Sequence, residues 1–167
     1  MQCNNLEKEG RFSMTNRWTE QDHFFMQEAL KEAEKAYKKN EVPIGAVIID
    51  DKEQIIGVGH NQVEEKKSQL FHAECTALGQ ATQKIDNWRL EECTLYVTLE
   101  PCTMCFAALK LSRIKTIIFG AESPIFGYQK DLDNFIKTES NQDVIIQGGL
   151  LEKECQNLLR HFFKSFR

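Results

Sequence analysis

Two short motifs, well separated along the chain, limit what it can fold into. His72-Ala73-Glu74 is followed much later by Pro101-Cys102-Thr103-Met104-Cys105. One imidazole and two thiols form a donor set for zinc, which favours such ligands in a tetrahedron. Structural zinc takes four protein ligands, whereas catalytic zinc takes three and leaves a position for water. His72, Cys102 and Cys105 make three. Glu74 is then free as a carboxylate that can take up and return a proton. Any fold that uses both motifs must bring them to one point. Two alternatives stay open: Cys75, one helical turn beyond His72, closing a structural site as a fourth ligand, and Glu74 as a solvated helix carboxylate.

The hydrophobic pattern supplies the elements. Thr19 is a helix N-cap, and Phe24, Phe25, Leu30, Ala33 and Tyr37 recur at near-helical spacing until Asn40 stops the helix. Residues 45–49 and 54–59 are apolar, β-branched runs joined by Asp50-Asp51-Lys52-Glu53, which predicts a hairpin. A second helix opens near His72 and runs through Leu78 and Ala81. A strand over 94–99, a helix over 103–111, strands over 115–120 and 143–147 and a closing amphipathic helix over 150–163 complete the order. The expected fold is α/β: a mixed five-stranded sheet between helices in a three-layer α/β/α arrangement. Both zinc motifs then open helices, where partial positive charge stabilises thiolates. Pro101 suits a helix start because it lacks an amide donor.

A chain of 167 residues, 41% hydrophobic, supports one domain, read as 18–167, behind a flexible N-terminal extension over 1–17 in which Met14 is an alternative start. No apolar run has the ~18 residues of a membrane span, and residues 1–17 lack the pattern of a secretion signal. A cytoplasmic, reducing setting follows, with Cys3, Cys75, Cys93 and Cys155 as free thiols. The net charge of −4 gives no general attraction to phosphate, so nucleic-acid binding would need a local basic patch.

With these residues in hand, the chain resembles the bacterial tRNA-specific adenosine deaminases, zinc nucleobase deaminases of the cytidine-deaminase-like fold. His-x-Glu followed by Pro-Cys-x-x-Cys is the signature of the wider group. The likeness extends through Glu41-Val42-Pro43-Ile44-Gly45-Ala46-Val47, Asn61, Asn87-Trp88-Arg89-Leu90, residues 94–102, Ser112-Arg113-Ile114, Gly148-Gly149-Leu150-Leu151 and Phe162-Phe163-Lys164. It implies hydrolytic conversion of adenosine to inosine at the wobble position of an anticodon loop, usually of an arginine tRNA, by a homodimer holding one zinc per subunit. It also implies that Glu74 moves the proton of the attacking water to N1 of adenine. Asn61 would hydrogen-bond the flipped base, and the backbone near Ile44 and Ala73 would complete the pocket.

The closing helix offers a route to RNA. Arg160, Lys164 and Arg167 lie at helical spacing, and Phe162 and Phe163 beside them are candidates either to stack on a loop base or to pack in the core. Lys110, Arg113 and Lys115 would extend the basic track or simply face solvent. Asn61 follows a strand, where the alternative to base recognition is a turn former, and Glu64-Glu65-Lys66-Lys67 reads as a solvated loop. Glu100 is expected to be structural, and His23, His60 and His161 have no partner at ligand spacing. The chain departs from the family at Ser68-Gln69-Leu70-Phe71, where Asp-Pro-Thr-Ala is common, and at Cys75, Ser123 and the loop over 124–134. Deamination of a free base or nucleoside, of guanine or cytosine type, is the alternative activity, and a zinc-stabilised binding protein without turnover is the third reading.

Overall fold

Thr19 caps the first helix as expected, through a reciprocal pair of bonds with Asp22 that satisfies two amides the first turn would leave open. The computed structural model describes residues 17–128 and 144–165. Residues 1–16 of the expected extension, with Cys3 and Met14, lie outside the described residues, as do 129–143 and 166–167, Arg167 among them. The elements are α1 Glu20–Lys38, β1 Gly45–Ile49, β2 Ile55–His60, α2 Val63–Lys66, a 3-10 turn Gln69–Phe71, α3 Ala73–Lys84, β3 Thr94–Leu99, α4 Thr103–Leu111, β4 Thr116–Ala121, β5 Ile145–Gly148 and α5 Glu152–Ser165.

The sheet runs in the order β2-β1-β3-β4-β5. β1 is antiparallel to both neighbours, while β3, β4 and β5 are parallel. Strand side chains alternate between the faces, as a pleat requires. Ala46, Ile48, Leu95, Val97, Ile117 and Phe119 meet the inner faces of α3 and α4. Val47, Ile49, Tyr96 and Ile118 meet α1 and α5. Three layers result, and β1, covered on both sides, is apolar throughout. Each fully buried Ile, Val or Leu contributes ~1.5–3 kcal/mol.

Three differences from the sequence reading stand out. Glu64-Glu65-Lys66-Lys67 is not a plain loop: its first three residues belong to α2 and Lys67 caps it, and the Glu64 and Glu65 amides donate to the buried Glu41 carboxylate at 3.1 and 2.7 Å. The side chain that closes this helix start lies in another segment, so no local signal marked it. On α1, Phe24 is exposed, and Met26, Ala29 and Ala36 carry the buried stripe with Phe25 and Ala33. The last strand and helix begin about two residues later than expected.

Close packing of α3 on the sheet fixes the site's position. Gly59 lets the helix backbone approach, since a methyl there would overlap the Ala73 carbonyl. No helix among the described residues is long and apolar enough to cross a membrane.

Candidate active site

His72 and Cys102 occupy the cap positions of α3 and α4. Such positions usually go to Ser, Thr, Asp or Asn, whose oxygen bonds a free helix amide for ~1 kcal/mol. Neither side chain makes that bond. They turn toward each other instead: His72 Nδ1 lies 3.6 Å from Cys102 Sγ and 3.4 Å from Cys105 Sγ. The ligand atoms of all three residues lie within 4.8 Å of one another. Tetrahedral zinc, with Zn–S near 2.3 Å and Zn–N near 2.0–2.1 Å, has N···S edges of about 3.5–3.6 Å. The trio is spaced as zinc ligands are, and its donors fit the metal.

The Cys105 thiol beside it, and then the His72 imidazole, hold Cys102 down to about 4. Bonding to Cys102 and Cys75 pushes Cys105 up. Cys102 is therefore a thiolate at neutral pH, the form that binds metal, and it sits at a helix N-terminus where negative charge is favoured.

Glu74 follows on the first turn of α3 and is only 4% exposed. Burial pushes its carboxyl up to about 7, which suits a group that must gain and lose a proton near neutrality. Its Oε2 is buried without a hydrogen-bond partner among the described residues. Buried carboxylate oxygens are normally satisfied, so this one marks a place for water or a substrate group.

The antiparallel register brings the expected base-reading residues to the same sheet edge. Gly45 pairs with His60, so the start of β1, the end of β2 and the end of β3 lie together. The Asn61 amide donates to the Ile44 carbonyl at 3.1 Å. Asn61 is 5% exposed. Ala73 is fully buried and Ile44 packs on the core beside it.

The closing helix divides the two phenylalanines. Phe162 is 6% exposed and meets the Tyr37 ring edge-on at 5.9 Å. Its expected role against RNA is therefore corrected: the ring belongs to the core, because the apolar stripe of α5 faces the sheet and α1. Phe163, Arg160 and Lys164 face solvent. Arg113 and Lys115 are paired with Glu91 and Glu92 at 2.7 and 2.5 Å, which neutralises much of the expected track. Cys75 Sγ lies 3.7 Å from Cys105 Sγ but falls outside the group of mutually close ligand atoms. His60 meets Glu32 at 3.2 Å, away from that group.

Sequence reasoning did not foresee how the Cys102 loop is held. The Glu100 carboxylate is buried and accepts the Ser123 amide at 2.9 Å. Gly127 lies so close that a methyl would strike that carboxylate, and it pairs with Cys102 in an isolated bridge. The turn over 123–127 is thereby wrapped on a charge adjacent to a ligand. A Glu directly before Pro-Cys was the available signal, but its partner is remote in sequence.

A family model for the cytidine and deoxycytidylate deaminase zinc-binding region matches residues 19–121. The tRNA-specific adenosine deaminase of Streptococcus pyogenes serotype M18 (strain MGAS8232) is 46% identical over 149 residues, which is 89% of this chain and 93% of that protein. A solved structure from work on A-to-I editing by tRNA:A34 deaminases at the wobble position of transfer RNA superposes with a TM-score of 0.74 at 35% identity, covering 81% of this chain and 98% of the other. Guanine deaminase from Bacillus subtilis is more distant, with a TM-score of 0.59 at 28% identity over 73% of this chain and 81% of its own. With paired zinc motifs on this fold and identity that runs through most of its length, the chain belongs to the zinc-binding cytidine and deoxycytidylate deaminase family, among the tRNA-specific adenosine deaminases.

Proposed function

We propose that this protein deaminates adenosine to inosine at the wobble position of a tRNA anticodon loop. The observation that carries the reading is Glu74: a buried carboxylate with a free oxygen, next to three zinc-spaced ligand atoms. His72, Cys102 and Cys105 would hold zinc. When bound, the metal supplies the acidity that lets water ionise near neutral pH. Glu74 takes one proton of the water that adds to C6 of adenine and delivers it to N1, then takes the remaining hydroxyl proton from the C6 oxygen and passes it to the leaving amino group, so that adenosine and water give inosine and ammonia. Asn61 offers both a donor and an acceptor to the base edge, and the backbone at Ile44 and Ala73 closes the pocket. A loop base is partly unstacked already, which keeps the cost of extruding it small. Phe163, Arg160 and Lys164 are the candidate RNA contacts on α5.

An arginine tRNA as substrate, a cytoplasmic location and a deaminase domain that begins near residue 18 belong to the same proposal. So does the homodimer. The outward side of α3 and α4 and the turn before them present Leu70, Phe71, Met104 and Leu111 to solvent, and α4 carries a single charge, Lys110. A second copy covering this face would bury it.

The test is incubation of the zinc-loaded protein with an anticodon stem-loop carrying wobble adenosine, and separately with free guanine, cytosine and adenosine. Inosine and ammonia from the stem-loop alone are expected. Turnover confined to free bases or nucleosides would replace the proposal with the alternative activity.

A further inference from the structure

We propose that Gln69 is a positioning residue for His72, fixing the tautomer and the ring orientation that metal binding requires. The inference rests on the reading of His72 as a zinc ligand. Imidazole has two nitrogens, and in the neutral ring one carries a proton while the other offers a lone pair. Nδ1 faces both cysteine sulfurs, so it is the nitrogen that would ligate the metal, and in a ligating neutral ring Nε2 holds the proton. The Nε2–H points to Gln69 Oε1 at 3.2 Å. A carbonyl oxygen can only accept, so of the two neutral tautomers only the one that leaves Nδ1 free for the metal makes this contact. Ligating histidines almost always bond their second nitrogen in this way, and loss of the partner typically costs 10–100-fold in metal affinity.

Local structure explains how a glutamine three positions earlier reaches the ring. Residues 69–71 form a 3-10 turn capped by Ser68, whose Oγ accepts the Leu70 amide at 3.3 Å. A 3-10 turn has three residues per turn, so side chains at i and i+3 eclipse, and Gln69 stands over His72. The Gln62 amide to the Phe71 carbonyl at 3.0 Å and the Ser68 amide to the Val63 carbonyl at 3.3 Å tie the turn to α2. The segment is the same Ser68-Gln69-Leu70-Phe71 that departs from the resembling family. The bond lies at the surface, where water competes, which places the expected effect at the lower end of that range.

The experiment measures zinc affinity of the full chain by chelator competition for wild type, Gln69→Leu, Gln69→Glu and His72→Ala, with circular dichroism to verify folding. Gln69→Leu is expected to weaken zinc about tenfold while keeping the wild-type spectrum. Gln69→Glu, whose carboxylate accepts the same bond, should restore wild-type affinity or exceed it. Equal zinc affinity in Gln69→Leu and wild type, with His72→Ala deficient, would overturn the positioning role and leave the zinc site standing. A weakened Gln69→Glu would also overturn it, since only the acceptor role predicts rescue. Wild-type affinity in His72→Ala would remove the zinc reading and the inference with it.

Discussion

Replacing Glu74 with Gln keeps the shape of the side chain but removes its proton chemistry, so activity, metal content and stability should respond in different directions. Burial raises the Glu74 carboxyl from 4.5 to about 7. Between these values the folded protein keeps a proton that the unfolded chain has lost. The stability of the zinc-stripped wild type therefore falls as pH rises from about 4.5 through about 7, then levels off with a charge held in the core. At ~1.36 kcal/mol per pH unit, that penalty is on the order of 3 kcal/mol. Gln cannot ionise and escapes it. Stripped Glu74→Gln should thus be more resistant to urea than stripped wild type near pH 8, by on the order of 3 kcal/mol, and the gap should close near pH 4.5. Zinc content should be unchanged, because Glu74 is not among the mutually close ligand atoms. Inosine formation on the stem-loop should drop by ~10²–10⁴-fold. Retained turnover would refute the catalytic role. A variant less stable than wild type near pH 8 would refute the account of the buried charge.

Four further substitutions probe other parts of the site and fold. Cys75→Ala should retain zinc at one ion per chain by atomic absorption; loss of the metal would mean that Cys75 closes the site and that the site is structural. Phe162→Ala should cost ~3 kcal/mol or more in chemical denaturation, as removal of a buried ring does. Phe163→Ala should cost no more than about 0.5 yet weaken stem-loop binding by ~1–3 kcal/mol if the ring stacks on a base. Gly59→Ala forces α3 away from β2 and should lower both the melting temperature and zinc affinity; a variant with normal values for both would show that this close approach is not needed.

Much of the frame was legible because its causes are local. The cap at Thr19, the central strand and the helix starts at His72 and Cys102 each rest on residue type and spacing within a few positions. The zinc donors were legible for a similar reason: few donor sets other than imidazole and paired thiols suit that metal. What stayed hidden depends on partners distant in sequence. Glu41 satisfies α2 from across a gap of more than twenty residues, and Glu100 holds the turn at Ser123 from a similar distance. The helical periodicity of α5 marked an apolar stripe but gave no direction for it, so Phe162 and Phe163 were equal candidates until packing against Tyr37 separated them.

Residue types and their spacing set the chemistry available to this protein: three zinc donors, one proton carrier, and helices to present them. Folding in three dimensions sets how those groups are tuned. Burial between sheet and helix sets the proton affinity of Glu74, the placement of Cys75 keeps it out of the mutually close ligand group, and a 3-10 turn stands Gln69 over His72. Donor type is a property of each residue alone. Solvation, distance and tautomer exist only once the chain has brought separate segments together.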